Sequence, residues 1–370
     1  MLRIAITAAS GAYEAVIENG LIARAGEQIR QFVGEAKAFV VTVPPVRRRW
    51  GRRLMASLSA AGLQGKWIEM PDGEPAKKLV TVERLAENLV RAGADRDSVL
   101  LAFGGGVVGD VTGLLASLYM RGVRLVQIPT TVLAQVDASI GGKTAVNLRS
   151  GKNLVGTFWP PQSVLIDPAV LTTLPEREFR AGLYEALKCG VIGRPKLFDR
   201  LESLDIRSLG RDADALEWVI AESVKLKAEI VSADEREGGL RRALNLGHTI
   251  GHALEAEAGY RRFLHGEAVA WGIIAETDIA RELGMCAPAT AQRIVEATRR
   301  MGLLPKSAAH GRDILHRLRS DKKTRAGAIH FVLPREIGKV EVVKDIPEKV
   351  IVSAVDELRE ISKHKAYGTA

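Results

Sequence analysis

The chain has 370 residues, of which 46% are hydrophobic, 26% charged and 5% aromatic, proportions that exclude a disordered, collagen-like or membrane-embedded chain. Two cysteines, Cys189 and Cys286, are too few and too far apart for a disulfide framework or a CxxC zinc pair, which points to a reducing, cytoplasmic setting. The net charge of +9 fits either nucleic acid or an anionic substrate, so the motifs must decide between them.

In chain order, the first twenty residues carry one arginine and no long apolar stretch, so no export signal is expected. No later run approaches the roughly 20 apolar residues of a membrane helix. Residues 38–43 (AFVVTV) read as a buried strand and residues 65–70 (GKWIEM) as a second. The basic run RRRWGRR at 47–53 between them has no nucleic-acid reader motif or aromatic platform, and reads as the solvated face of a helix. A loop at 71–75 leads to a predicted helix over 76–92. A third strand at 98–103 runs into glycines, a helical pattern occupies 111–120, and strands follow at 123–128, stopped by Pro129, and at 163–166. This alternation predicts a Rossmann-like open parallel sheet with crossover helices over residues 1–174. From residue 175 the texture changes to long helical patterns at 218–231, 248–258 and 268–283, with a small hairpin from residues 328–334 and 338–343, so 175–370 is expected to form a mainly α-helical domain.

Several segments carry chemistry. GGGVVGD at 104–110 lies between a strand and a helix, where a doubly wound fold binds a phosphate on backbone N–H groups, although its spacing is neither GxGxxG nor a Walker motif. Thr130 and Thr131 end the fourth strand. Residues 137–144 and 151–153 gather Asp137, Lys143, Lys152 and Asn153 around glycines, a donor-rich segment suited to a second anion. His248 and His252 stand at i and i+4, and His265 follows, so three of the seven histidines fall within 18 residues. The segment is not HExxH, because Thr249 occupies the glutamate position. A carboxylate would complete a three-ligand metal site, and Glu185 and Glu267 are both candidates. Lys188 and Lys227 sit among apolar neighbours on predicted helices, where a lysine needs an anionic partner.

Taken together these segments resemble the 3-dehydroquinate synthase family within the sugar-phosphate cyclases. The match runs through GGGVVGD, YMRG at 119–122, PTT at 129–131, QVDASIGGKTAVN at 135–147, GKN at 151–153, AGLYEALKCG at 181–190, NLGHTIGHALEAE at 245–257, LHGEAVA at 264–270 and DKK at 321–323. The resemblance implies conversion of 3-deoxy-D-arabino-heptulosonate 7-phosphate to 3-dehydroquinate and phosphate in the shikimate pathway, with bound NAD and a divalent metal, zinc or cobalt. The C5 hydroxyl would be oxidised, phosphate eliminated, C5 reduced again and the ring closed by an aldol step.

By the same resemblance, Glu185, His248 and His265 would hold the metal. Asp137, Lys143, Asn153, Lys188, Lys227, Arg241, Asn245 and His252 would contact the sugar phosphate, with Lys322 or Lys323 on its phosphate, and Arg121 would come from the partner subunit of a homodimer. NAD would contact Asp72, Gly73, Glu74, Lys77, Gly105, Gly106, Val107, Val108, Gly109, Asp110, Thr130, Thr131, Lys143, Lys152, Val170, Leu171, Thr172 and Thr173. One departure stands out: an acidic residue usual after the strand ending at Val43 is replaced by Pro44, Pro45 and then arginines, which bears on adenosine contacts and on NADP use. The alternatives are a cyclase for another sugar phosphate and an iron-type polyol dehydrogenase of the same architecture.

Overall fold

The computed structural model describes residues 1–325 and 329–362, without the side chains of 321–325. The side chains of the expected phosphate lysines Lys322 and Lys323, and the predicted hairpin start at Ala328, therefore lie outside what is described. The chain forms two compact units: Met1–Pro175 with Gly210–Glu235, and Glu176–Leu209 with Arg236 onward.

The first unit is built on a seven-stranded sheet. Its strands are β1 (Leu2–Ala8), β2 (Gly11–Ile17), β3 (Ala38–Thr42), β4 (Gly65–Glu69), β5 (Val99–Gly104), β6 (Arg124–Pro129) and, after a separate hairpin of β7 (Lys143–Leu148) and β8 (Gly151–Phe158), β9 (Ser163–Ile166). The order is β1-β2-β9-β6-β5-β3-β4, and every neighbouring pair is parallel except β1 with β2. β3, β5 and β9 are buried along their whole length, as strands covered on both faces must be. Phe39, Val41, Leu100 and Ala102 pack with Val111, Leu114 and Leu115 of the helix Gly106–Leu118 in one core. The chain passes from β4 back across β3 to β5, so the strand order reverses there. The carboxyl end of β5 is then the place where an open α/β sheet receives a ligand.

Three features differ from the sequence expectation. The edge hairpin β1–β2 was not foreseen. The helix after β5 starts at Gly106 rather than 111, because glycine's weak helix propensity conceals its first turn. Residues 134–158, to which the sequence reading assigns no element, contain a π-helical turn at Ala134–Ala138 and the β7–β8 hairpin. π-turns are rare and concentrate at functional sites.

The second unit is helical, with a hairpin of β10 (His330–Glu336) and β11 (Lys339–Lys344). Its core joins Ile250, Leu254, Trp271, Ile274 and Ile279 to Phe331 and Leu333. Three helices, Glu176–Gly193, His248–Glu257 and His265–Glu282, approach one another backbone to backbone. A Cβ on Gly266 would stand 1.7 Å from the Ala181 carbonyl oxygen, and one on Gly272 would stand 1.8 Å from that of Gly247. Only glycine permits these approaches. Gly272→Ala is therefore expected to lower the unfolding free energy by about 1–3 kcal/mol or more, as overpacking does. Gly239→Ala, whose Cβ would meet nothing within 4 Å, serves as the near-neutral control in the same denaturant titration.

Candidate functional site

In the second unit the three helices bring one carboxylate and three imidazoles together. Glu185 and Lys188 lie on one face of the helix Glu176–Gly193 at i and i+3 and are 0% and 1% exposed. The Lys188 ammonium pairs with Glu185 Oε2. His265 Nε2 stands 3.4 Å and His248 Nε2 3.7 Å from the other oxygen, Oε1. His248 Nδ1 lies 3.1 Å from the Leu246 carbonyl, which can only accept, so Nδ1 carries the proton and Nε2 presents its lone pair. His265 Nδ1 is held in the same way by the buried Glu255 carboxylate at 3.3 Å. A carbonyl or carboxylate on the outer nitrogen of each imidazole is the usual support of metal-binding histidines.

The electrostatics follow from burial and this grouping. Burial works against charge on Glu185, but the Lys188 ammonium and the two imidazoles hold its carboxyl well below its ordinary range. Burial, reinforced by Lys188, pushes His248 well down and keeps it neutral. Burial also opposes charge on His265, but Glu185 and Glu255 raise it to about 10. A proton on His265 and a divalent cation meet the same electrostatic demand, so binding the cation releases the proton.

The donor set fits a metal. Neither oxygen of Glu185 has a partner in hydrogen-bond geometry among the described residues, although the carboxylate is fully buried. Two ligands at 2.0–2.2 Å from a tetrahedral ion stand about 3.3–3.6 Å apart, close to the separations from Oε1 to the two Nε2 atoms. His252 is also near, with ring centroids 5.1 Å from His248 and 5.7 Å from His265, and the three histidines offer ligand atoms within 4.8 Å of one another. It is exposed, whereas Glu185 is buried. The other candidate, Glu267, is committed elsewhere: it binds Arg177 through both oxygens at 2.7 and 2.8 Å and accepts the Leu264 N–H. In the same unit Arg241 is buried, and Asn245 donates to Glu237 at 2.5 Å. Glu237 and Glu255 were not singled out from the sequence: Glu237 is one acid in the acid-rich loop at 234–237, and Glu255 is one of two in the helix His248–Glu257.

In the first unit, the helix after Gly105 has no side-chain cap, which leaves its first N–H groups for an anion. Beside it Thr130 Oγ1 is buried without a partner among the described residues. Lys77 pairs with Asp110 and donates to Asn153 Oδ1 at 2.5 Å. Burial pushes the Asp110 carboxyl up, with Lys77 opposing the shift. Glu74 accepts from Asn147 at 2.8 Å and lies 3.9 Å from the Lys152 ammonium. Lys227, 6% exposed, donates to Asp137 Oδ1 at 2.6 Å, so the anionic partner expected for it comes from the π-turn.

Asp72 and Gly73 are exposed, and Lys143 opens β7 with its side chain exposed. Val170, Leu171, Thr172 and Thr173 form the last part of the 3₁₀ turn Pro168–Thr173, where the Thr173 hydroxyl accepts from Trp50 and donates to the Val170 carbonyl. Of the arginines after β3, Arg47 pairs with Glu69 at 2.9 Å with its guanidinium over the Trp67 ring, and Arg53 lies over the Trp50 ring. Arg121 is exposed, with Met120 and Arg121 both at positive φ, 48° and 66°.

Among known proteins, family models described as 3-dehydroquinate synthase N-terminal and C-terminal match residues 67–181 and 182–324. A 3-dehydroquinate synthase of Koribacter versatilis (strain Ellin345) is 53% identical over 363 residues, covering 98% of this chain and 99% of its own. Among solved structures, ValA, the 2-epi-5-epi-valiolone synthase of Streptomyces hygroscopicus subsp. jinggangensis 5008 with NAD+ and Zn2+ bound, is 32% identical. It superposes with a TM-score of 0.86, covering 94% of this chain and 97% of that one. A 2-deoxy-scyllo-inosose synthase complexed with carbaglucose-6-phosphate, NAD+ and Co2+ shares the fold at a TM-score of 0.84 and 24% identity, covering 96% and 99% of the two chains.

Zinc titration of the apoprotein is expected to give one tight equivalent for the unsubstituted chain and for Glu267→Gln, and none for Glu185→Gln or His248→Ala.

Proposed function

The chain belongs to the 3-dehydroquinate synthase family, and we infer on that premise how its residues divide the family's reaction. That reaction, a phosphorus–oxygen lyase step of the shikimate pathway, converts 3-deoxy-D-arabino-heptulosonate 7-phosphate to 3-dehydroquinate and phosphate, and it is the activity of this chain. The observation that carries the residue assignment is the pair of Nε2 atoms, from His248 and His265, facing Oε1 of buried Glu185, the oxygen that Lys188 does not pair with.

When bound, NAD and a divalent cation, zinc or cobalt, supply reversible hydride exchange at C5 and polarisation of the sugar's hydroxyl groups. Glu185, His248 and His265 hold the cation, and Lys188 balances the Glu185 charge without competing for Oε1. The N–H groups at the start of the helix Gly106–Leu118, with Thr130, hold the NAD pyrophosphate, while Glu74, Lys77, Asp110 and Lys152 contact the rest of the cofactor. Arg47, on the helix Pro44–Ala60, is turned to Glu69 and Trp67 of the edge strand β4, which favours NAD over NADP.

The remaining groups bind substrate. Lys143, Asn153, Lys227, Arg241 and Asn245 donate to hydroxyl, carboxylate and phosphate oxygens, and Asp137, held by Lys227, accepts from a hydroxyl. His252 is exposed beside the cation ligands and exchanges protons with the bound sugar during oxidation and ring closure. Phosphate itself removes the neighbouring proton as it leaves, so no strong protein base is needed for elimination.

Two further features support assembly and setting. Consecutive non-glycine residues at positive φ are strained and persist where something depends on them. Met120 and Arg121 adopt that geometry next to exposed Leu118, and so present Arg121 to the partner subunit of a homodimer. Cys189 and Cys286 are free and buried, and no described helix is long and apolar enough to cross a membrane, in keeping with the cytoplasm.

With NAD and zinc supplied, the purified protein is expected to release phosphate and form 3-dehydroquinate in equal amounts, without net NADH, and to stop on chelation; steady NADH accumulation from a polyol would favour the dehydrogenase alternative instead. If Arg121 acts across the dimer, mixing and reassociating inactive Arg121→Ala and inactive His248→Ala protomers restores turnover, because one of the two sites is then complete.

A further inference from the structure

The helix that carries His248 and His252 begins without a cap of its own. Gly247 precedes it at φ 77° and has no side chain to offer the first N–H groups. They are met by Glu276, which lies within the helix His265–Glu282: the Gly247 N–H donates to Oε2 at 2.6 Å and the Ile250 N–H to Oε1 at 3.3 Å. Glu276 is 0% exposed, and among the described residues no lysine, arginine or histidine pairs with it. Burial pushes its carboxyl up to about 8, and backbone N–H groups alone oppose that shift, so its oxygens serve as hydrogen-bond acceptors for the helix end. A buried carboxyl group is a costly way to close a helix end that a serine or asparagine at the cap position would close locally, so its placement calls for a reason beyond capping.

That reason lies in what the capped end carries. His248 is the first residue of the helix, directly after Gly247, and its ring is oriented by the Leu246 carbonyl, directly before Gly247. Both the position and the direction of Nε2 are set by residues 246–247, the segment that Glu276 holds. The helix bearing Glu276 starts with His265, so one rigid element fixes both imidazoles. We propose that Glu276 is a positioning residue of the metal centre, clamping the start of the His248 helix so that His248 Nε2 faces Glu185 Oε1. This rests on Glu185, His248 and His265 being the ligands.

The test measures zinc dissociation constants of the full-length apoprotein by competition with a chromogenic chelator, with circular dichroism to verify folding. Glu276→Ala is expected to weaken zinc binding about 10–100-fold, the usual effect of losing an outer-sphere support. Glu276→Gln, which offers one acceptor oxygen to two N–H groups, falls between it and the unsubstituted chain and decides the matter if the alanine variant does not fold. Ile294→Ala, a buried residue on another helix of the same unit, lowers stability and keeps full zinc affinity. Unchanged affinity in the Glu276 variants while His248→Ala loses zinc overturns this inference alone, as does equal weakening in Ile294→Ala. Unchanged affinity in His248→Ala overturns the ligand assignment and this inference with it.

Discussion

The close approach of three helix backbones in the second unit is the constraint on which the chemistry depends. Gly266 against the Ala181 carbonyl and Gly272 against the Gly247 carbonyl leave no room for even a methyl group. Because the helices meet at that distance, side chains as short as glutamate and histidine reach a common point, and Oε1 of Glu185 lies 3.4 and 3.7 Å from two imidazole nitrogens. A wider spacing would set the Glu185 carboxylate and the two imidazoles too far apart to share one ion, as the proposed metal site requires. Packing and chemistry are therefore the same feature of this unit.

The price of that arrangement is a set of buried charges, and the fold offsets each with a defined partner. Lys188 sits one helical turn from Glu185, Glu255 supports His265, and the start of the His248 helix receives Glu276. Removing one member of such a pair costs about 3–5 kcal/mol, since the other is left uncompensated away from water. The first unit follows a different logic. There the parallel sheet exposes the carboxyl end of β5 at the reversal of strand order, and the uncapped helix that follows supplies anion-binding N–H groups from the backbone itself.

How much of this the sequence discloses depends on how each element is buried. β3, β5 and β9 are legible as short, largely apolar runs because they are covered on both faces, and β6 reads the same way around its buried Gln127. β1 alternates exposed residues with half-buried ones and a single buried residue, Ile6, on the sheet edge, and β8 has no buried residue, so neither has the pattern of a core strand. At the metal group, the i, i+4 spacing of His248 and His252 is a sequence signal, but the choice between Glu185 and Glu267 is not: each is a lone acid among apolar helix residues. Only the structure gives Glu267 to Arg177 and leaves Glu185 facing the imidazoles. Glu276 carries that same signature, an acid beside Ala275, Ile279 and Ala280, and its role depends on a helix end that lies 29 residues away in the chain.

Anomalous diffraction at the zinc edge from crystals of the zinc-loaded protein tests the central claim most directly. The account predicts one peak bonded to Glu185 Oε1 and to Nε2 of His248 and His265, each at about 2.0–2.2 Å. A peak held by His252 in place of Glu185, or one remote from the Glu185 carboxylate, would contradict it.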